Sequence, residues 1–78
     1  MNEAQPKEKK FITSDAYLFK TAMAEKVNLR FRLIDGTDII GRPLWYDNFC
    51  FKIADEKGDE LIVYKSAVMW FRRASMNV

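Results

Sequence analysis

The side chains that could do chemistry in this chain are too few and too scattered for catalysis. The 78 residues contain no histidine and one cysteine, Cys50. A zinc site, built mostly from those two residue types, is therefore not expected, and a lone cysteine forms no internal disulfide. The three glycines, Gly36, Gly41 and Gly58, are too far apart for a phosphate-cradling loop. No nucleophile has a base placed beside it. The carboxylates Asp55, Glu56, Asp59 and Glu60 crowd one polar stretch, where solvation by water accounts for them. Neither an enzyme nor a bound cofactor is expected. Binding chemistry remains: lysines that can reach phosphates, and aromatic residues such as Trp45, Tyr46 and Trp70 that can line a groove.

Those side chains need a scaffold, and the composition supplies one. A hydrophobic fraction of 49% and an aromatic fraction of 14% belong to a folded chain rather than a disordered one. One small domain is all that this length allows, and domains this small often lean on oligomerisation when disulfides and metals are absent. The net charge of +2 is weak for one copy but is multiplied in any assembly. Residues 1–12, with Pro6 and the run Lys7-Glu8-Lys9-Lys10, read as a flexible arm. No stretch approaches the roughly 18 apolar residues of a membrane span. With no signal-peptide pattern and an unpaired cysteine, a cytoplasmic location is expected.

Thr13, Ser14 and Asp15 are all competent helix N-caps. Leu18, Phe19, Ala22 and Met23 then recur at helical spacing, predicting a helix over about 14–25 with Lys20, Glu25 and Lys26 toward water. From Val27 the period changes to two. Val27, Leu29, Phe31 and Leu33 alternate with Asn28, Arg30, Arg32 and Ile34, a half-buried strand. Asp35-Gly36 predicts a two-residue hairpin turn. A second strand is expected from Thr37 to about Leu44, bent at Gly41 and Pro43. The third runs from Trp45 to Ala54 with Phe49, Phe51 and Ile53 on one face. Glu60 to Lys65 is the fourth, and Val68-Met69-Trp70-Phe71 makes the fifth. The fold class is mainly β: one N-terminal α-helix and a five-stranded, strongly bent barrel over 13–73, with a tail at 74–78.

The last strand is apolar at every position. Left bare at a sheet edge it would aggregate, whereas pairing with a second copy covers it. Head-to-tail repetition of such a contact closes into a ring when the rotation allows. Val68, Met69, Trp70 and Phe71 are thus the expected subunit interface.

The order of these elements, with the segment Tyr64-Lys65-Ser66-Ala67-Val68, resembles the Sm-like fold of Hfq, the bacterial RNA chaperone family, whose second Sm motif reads Tyr-Lys-His-Ala-Ile. Leu33-Ile34-Asp35-Gly36, Gly41 and Tyr46-Asp47-Asn48-Phe49 are counterparts of the first motif. The resemblance covers about residues 15–73. It implies a homohexameric ring, joined through strands four and five, that binds single-stranded RNA and catalyses nothing.

It also implies where. On the helix-bearing proximal face, a uridine-rich site would be carried by Asp15, Asn48, Phe49, Tyr64, Lys65 and Ser66. Phe49 would stack on a base while Lys65 donates to a base carbonyl or phosphate. Ser66 replaces the usual His and Asp15 the usual Gln. A core aromatic is the plainer account of Phe49, and a solvated strand end that of Lys65. On the opposite, distal face, adenosine-rich RNA would meet Arg32, Gly36, Thr37, Asp38, Ile39 and Ile40. There Arg32 replaces a stacking aromatic and Asp38 a common Lys, so that mode is expected to be altered. At the rim, Lys20 and Lys26 stand in for the usual arginine cluster, together with the lysine-bearing arm. Two alternatives stay open: a monomeric SH3-like module that binds a peptide along Trp45, Tyr46 and Trp70, and a structural ring with weak RNA affinity.

Overall fold

Thr13 caps the first helix, and the computed structural model describes residues 13–74 from that cap onward. Helix α1 spans Ser14–Glu25; the Thr13 hydroxyl accepts from the Ala16 N–H at 3.4 Å. It ends in a left-handed residue, Lys26 at φ 58°, with the Val27 N–H bonded back to the Ala22 carbonyl at 3.0 Å. The strands are β1 (Leu29–Leu33), β2 (Asp38–Tyr46), β3 (Cys50–Ala54), β4 (Glu60–Tyr64) and β5 (Val68–Arg73). A 3-10 turn, Lys65–Ala67, links β4 to β5. They form one antiparallel, bent open sheet in the order β4-β3-β2-β1-β5, so β4 and β5 are its two edges.

The bend comes from β2 changing partners. Asp38 to Gly41 pair with β1, whereas Arg42 to Tyr46 pair with β3. Pro43 lies beyond the β1 pairing, where its missing N–H leaves no β1 ladder bond unmade. Gly41 sits at the corner because a Cβ there would lie 2.8 Å from the Ala54 carbonyl oxygen and 2.9 Å from Ile53 Cδ1. The expected second strand, ending near Leu44, is therefore too short, and Trp45 and Tyr46 belong to β2 rather than β3. A register slip between Pro43 and Trp45 carries the strand around the corner.

The Asp35-Gly36 turn also differs from expectation. The Leu33 N–H reaches the Thr37 carbonyl at 2.8 Å and the Gly36 N–H the Leu33 carbonyl at 2.9 Å. Three residues, Ile34 to Gly36, thus make the loop, with Gly36 at φ 91° in the position that closes it. The Asp55–Asp59 hairpin closes in the same way.

The core is aromatic. Phe19 from α1 stacks on Phe51 at 4.8 Å between ring centroids, and Phe31 stacks on Phe71 at 5.1 Å. Leu29, Ile53 and Val63 complete the buried cluster. Helix α1 docks through Phe19 and Ala22, both fully buried, and Arg73 ties its end to β5 through Glu25 at 2.8 Å. The fifth strand is less uniform than its sequence. Val68 and Phe71 turn into the chain's own core, while Met69 is left out of the register as a bulge and stays exposed with Trp70. Of the four expected interface side chains, two are therefore held by the monomer itself. The arm over 1–12 and the tail beyond Ala74 lie outside the described residues.

Candidate nucleic-acid interface

One carboxylate shapes the bend between β2 and β3. Asp47 Oδ1 accepts from the Phe49 and Cys50 N–H groups, each at 2.8 Å, and the Asp47 N–H donates to the Cys50 carbonyl at 3.0 Å. Those N–H groups, then the Lys65 ammonium, hold the Asp47 carboxyl below its ordinary value. Phe49 is consequently not on the face of Phe51 and Ile53, as the alternation suggested. It leaves the bend outward and is 73% exposed, whereas Phe51 is 1% exposed.

The β4–β5 link docks on this bend, with the Lys65 N–H bonded to the Phe49 carbonyl at 2.8 Å. The Lys65 ammonium lies over the Phe51 ring, 5.1 Å from its centroid, and 3.4 Å from Asp15 Oδ2 in the first turn of α1. The Thr13 hydroxyl, followed by the Ala16 N–H and Lys65, keeps the Asp15 carboxyl below its ordinary value. Tyr64 stands at the end of β4, 62% exposed and opposite Cys50 in the register. Burial, and then Asp47, push the Cys50 thiol up, which makes it a poor nucleophile.

Asp15, Phe49, Tyr64 and Lys65 thus come from α1, the bend, the end of β4 and the 3-10 turn. Asn48 and Ser66 are exposed near them. A cleft of about 380 Å³ opens beside Lys65, floored by Leu18 and Phe51 and walled by Asp15 and the residues of β5. Chemically this is an ammonium over a buried ring with a carboxylate beside it, on a segment bonded through its backbone to the one that carries the exposed Phe49.

The second group is divided. Arg32 points to the outer face of β1, where it pairs with Asp38 of β2 and lies over Trp70 of β5 at 5.2 Å. Asp38 also takes Arg30 at 3.2 Å, and these partners hold its carboxyl low, Arg32 foremost. Ile40, opposite Arg30, shares this face, but Ile39 packs against the core. Gly36 and Thr37 are at the hairpin tip. Sequence reasoning missed Arg30 and Arg72, which face each other across β1 and β5 beside this pair. The period-two alternation could have found Arg30, because it shares a face with Arg32.

At the rim, Lys20 is exposed on α1, and Lys26 lies apart from it at the helix end. Lys26 shares a cleft of about 450 Å³ with Met23, Pro43 and Arg42, the last not anticipated. Among the described residues no group of three or more His, Cys, Asp or Glu is placed to hold a metal ion. No described helix is long and apolar enough to cross a membrane.

Two solved structures are similar to this chain. A crystal structure of the pleiotropic translational regulator Hfq superposes with a TM-score of 0.70 at 15% identity, covering 76% of this chain and 97% of that one. An Hfq protein from Anabaena sp. superposes with a TM-score of 0.68 at 23% identity, covering 77% and 95%. At such identities the likeness is one of fold. No curated protein matches the chain. A family model described as Hfq related matches residues 18–73, which takes in most of α1, all five strands, the Asp47–Phe49 bend and the Lys65 turn. With well over half of its length so matched and its fold in agreement, the chain belongs to the Hfq-related family.

Proposed function

We propose that this chain assembles into a homohexameric ring that binds single-stranded RNA, without a catalytic step, and acts in the cytoplasm as an RNA chaperone in post-transcriptional regulation. The observation that carries the proposal is Phe49. A monomer gains nothing by turning a phenylalanine 73% into water, and the Phe49 backbone carbonyl accepts from the Lys65 N–H at 2.8 Å, which joins the two residues' segments. Single-stranded bases are held by such pairs, through stacking on the ring and a cationic donor to a carbonyl or phosphate. Asp15, Asn48, Tyr64 and Ser66 would complete the uridine-rich site. Adenosine-rich RNA would use the outer face around Arg32 and Asp38, and Lys20 and Lys26 would add lateral contacts.

The ring rests on the two edges. Strand β4 exposes Ile62 and Tyr64, and β5 exposes Met69 and Trp70, a combination that invites pairing with another copy. Light-scattering mass, followed by titration with oligo-uridine and oligo-adenosine at two salt concentrations, tests the proposal. A ring whose binding weakens as salt rises is expected, because neutralised phosphates release counterions. A monomer that binds neither oligonucleotide overturns it.

A further inference from the structure

We infer that the outer face of β5, β1 and β2 binds base-paired nucleic acid through its phosphates, without regard to base sequence. The inference goes beyond the single-strand reading of the Phe49 and Lys65 segments and does not depend on it. Strand register builds this face as two rows across three strands. Trp70, Arg32 and Asp38 form one row, and Arg72, Arg30 and Ile40 the other. Three arginines thus stand against one carboxylate. Asp38 engages Arg32 through Nε and Nη2, the latter at 3.2 Å, and takes Arg30 Nη1 at 3.2 Å. The Arg30 and Arg32 side chains are still 42% and 37% exposed. Arg72 is exposed and makes no ion pair among the described residues.

The indole is the one aromatic ring in the two rows, and the Arg32 guanidinium already lies over it, 5.2 Å from its centroid. A single strand gains affinity by stacking its bases on free aromatic rings, and this face has none to spare. It offers planar guanidinium forks instead, whose paired donors match phosphate oxygens. A duplex needs no more than that, because its bases stack on one another and its phosphates face outward. It is also stiff over about 150 base pairs, so lying along a sheet costs it little conformational freedom. An acidic peptide must be ordered residue by residue to make the same contacts. A ring repeats the two rows in every subunit, so neighbouring copies can meet successive phosphates. An adenosine-rich strand that reaches this face would be held by its backbone alone.

The test titrates the full chain into fluorescein-labelled DNA duplexes, one A·T-rich and one G·C-rich, and an RNA duplex of equal length, across a range of salt concentrations. All three should bind. Each phosphate met by an arginine frees a cation condensed on the duplex, so log K should fall with log salt at a slope of about −0.9 per contact for the DNA. Arg30→Gln and Arg72→Gln should each flatten that slope by about 0.9 per copy in contact, which converts to about eightfold weaker binding at roughly 0.1 M salt. Arg30→Lys and Arg72→Lys should keep the slope. Asp38→Asn frees both of its arginines and should tighten duplex binding, a second reading should the glutamine variants fold poorly. Oligo-uridine binding should be unchanged in Arg30→Gln and duplex binding unchanged in Phe49→Ala, so the two sites fail separately. Duplexes that do not bind, a strong preference for one base composition or one sugar, or slopes unaltered in the glutamine variants overturn the inference. So does oligo-adenosine bound far more tightly than oligo-cytidine with the gain lost in Trp70→Ala, since bases would then be read. Polyglutamate that displaces the DNA as readily as unlabelled duplex also overturns it, in favour of an acidic protein segment.

Discussion

Phe49 and Phe51 are the same residue two positions apart, and replacing each by alanine should give opposite results. Phe51 is 1% exposed, stacked on Phe19 at 4.8 Å and packed edge-on to Phe71 at 5.0 Å. Truncating a phenylalanine so enclosed costs about 3–5 kcal/mol. At roughly 4–8 °C per kcal/mol for a domain of this size, the melting temperature should fall by well over 10 °C. Phe49 is 73% exposed, so its truncation removes little buried area and should change stability by no more than about 0.5 kcal/mol. Its stacked base, however, is worth about 1–3 kcal/mol, a loss of roughly 5- to 150-fold in oligo-uridine affinity. Circular-dichroism melts and fluorescence anisotropy separate the two effects. A Phe49→Ala variant that melts like Phe51→Ala, or that binds oligo-uridine like the wild type, would refute the assignment.

Gly41→Ala should destabilise the chain by about 1–3 kcal/mol, because its Cβ meets the Ala54 carbonyl and Ile53; a melt matching the wild type would contradict the corner packing. Met69→Glu puts a charge on an edge residue that is 59% exposed in the monomer. The fold should survive and the assembly should split, so an unchanged light-scattering mass would count against β5 as an interface. Acid should weaken the fold. Asp15, Asp35, Asp38 and Asp47 all ionise below their ordinary 3.8 in the folded chain. Their stabilisation is complete above that value and is lost as pH falls through the lowered ones. The melting temperature should therefore be flat from about pH 7 to 5 and drop below about pH 4; a rise on acidification would contradict these contacts.

Local chemistry in the sequence was enough to locate α1 and β1. Thr13 is a hydroxyl cap ahead of a helical apolar face, and Leu29, Phe31 and Leu33 alternate with arginines. What depended on distant partners was not legible. Gly41 and Pro43 read as a bend, but the strand's expected end falls near Leu44, because the sequence does not show that β2 passes there from β1 to β3 and continues to Tyr46. Phe49 alternates properly with Phe51 and Ile53, and only the Asp47 side chain, by capping the bend, takes it off that face. The contact between Asp15 and Lys65 joins the first helix to the last connection, so no local pattern announces it. The resemblance implies one site for those two residues, but their pairing as ions is a property of the fold. The cation–π contact of Arg32 with Trp70 is likewise a matter of register between β1 and β5.

Cross-linking with an oligo-uridine that carries 4-thiouridine tests the central claim most directly, with the adducts mapped by mass spectrometry. Adducts are expected on Phe49 and on the Tyr64-Lys65 segment, lost when unlabelled oligo-uridine competes. Adducts confined to the outer face around Arg32 and Trp70, or none at all, would contradict it.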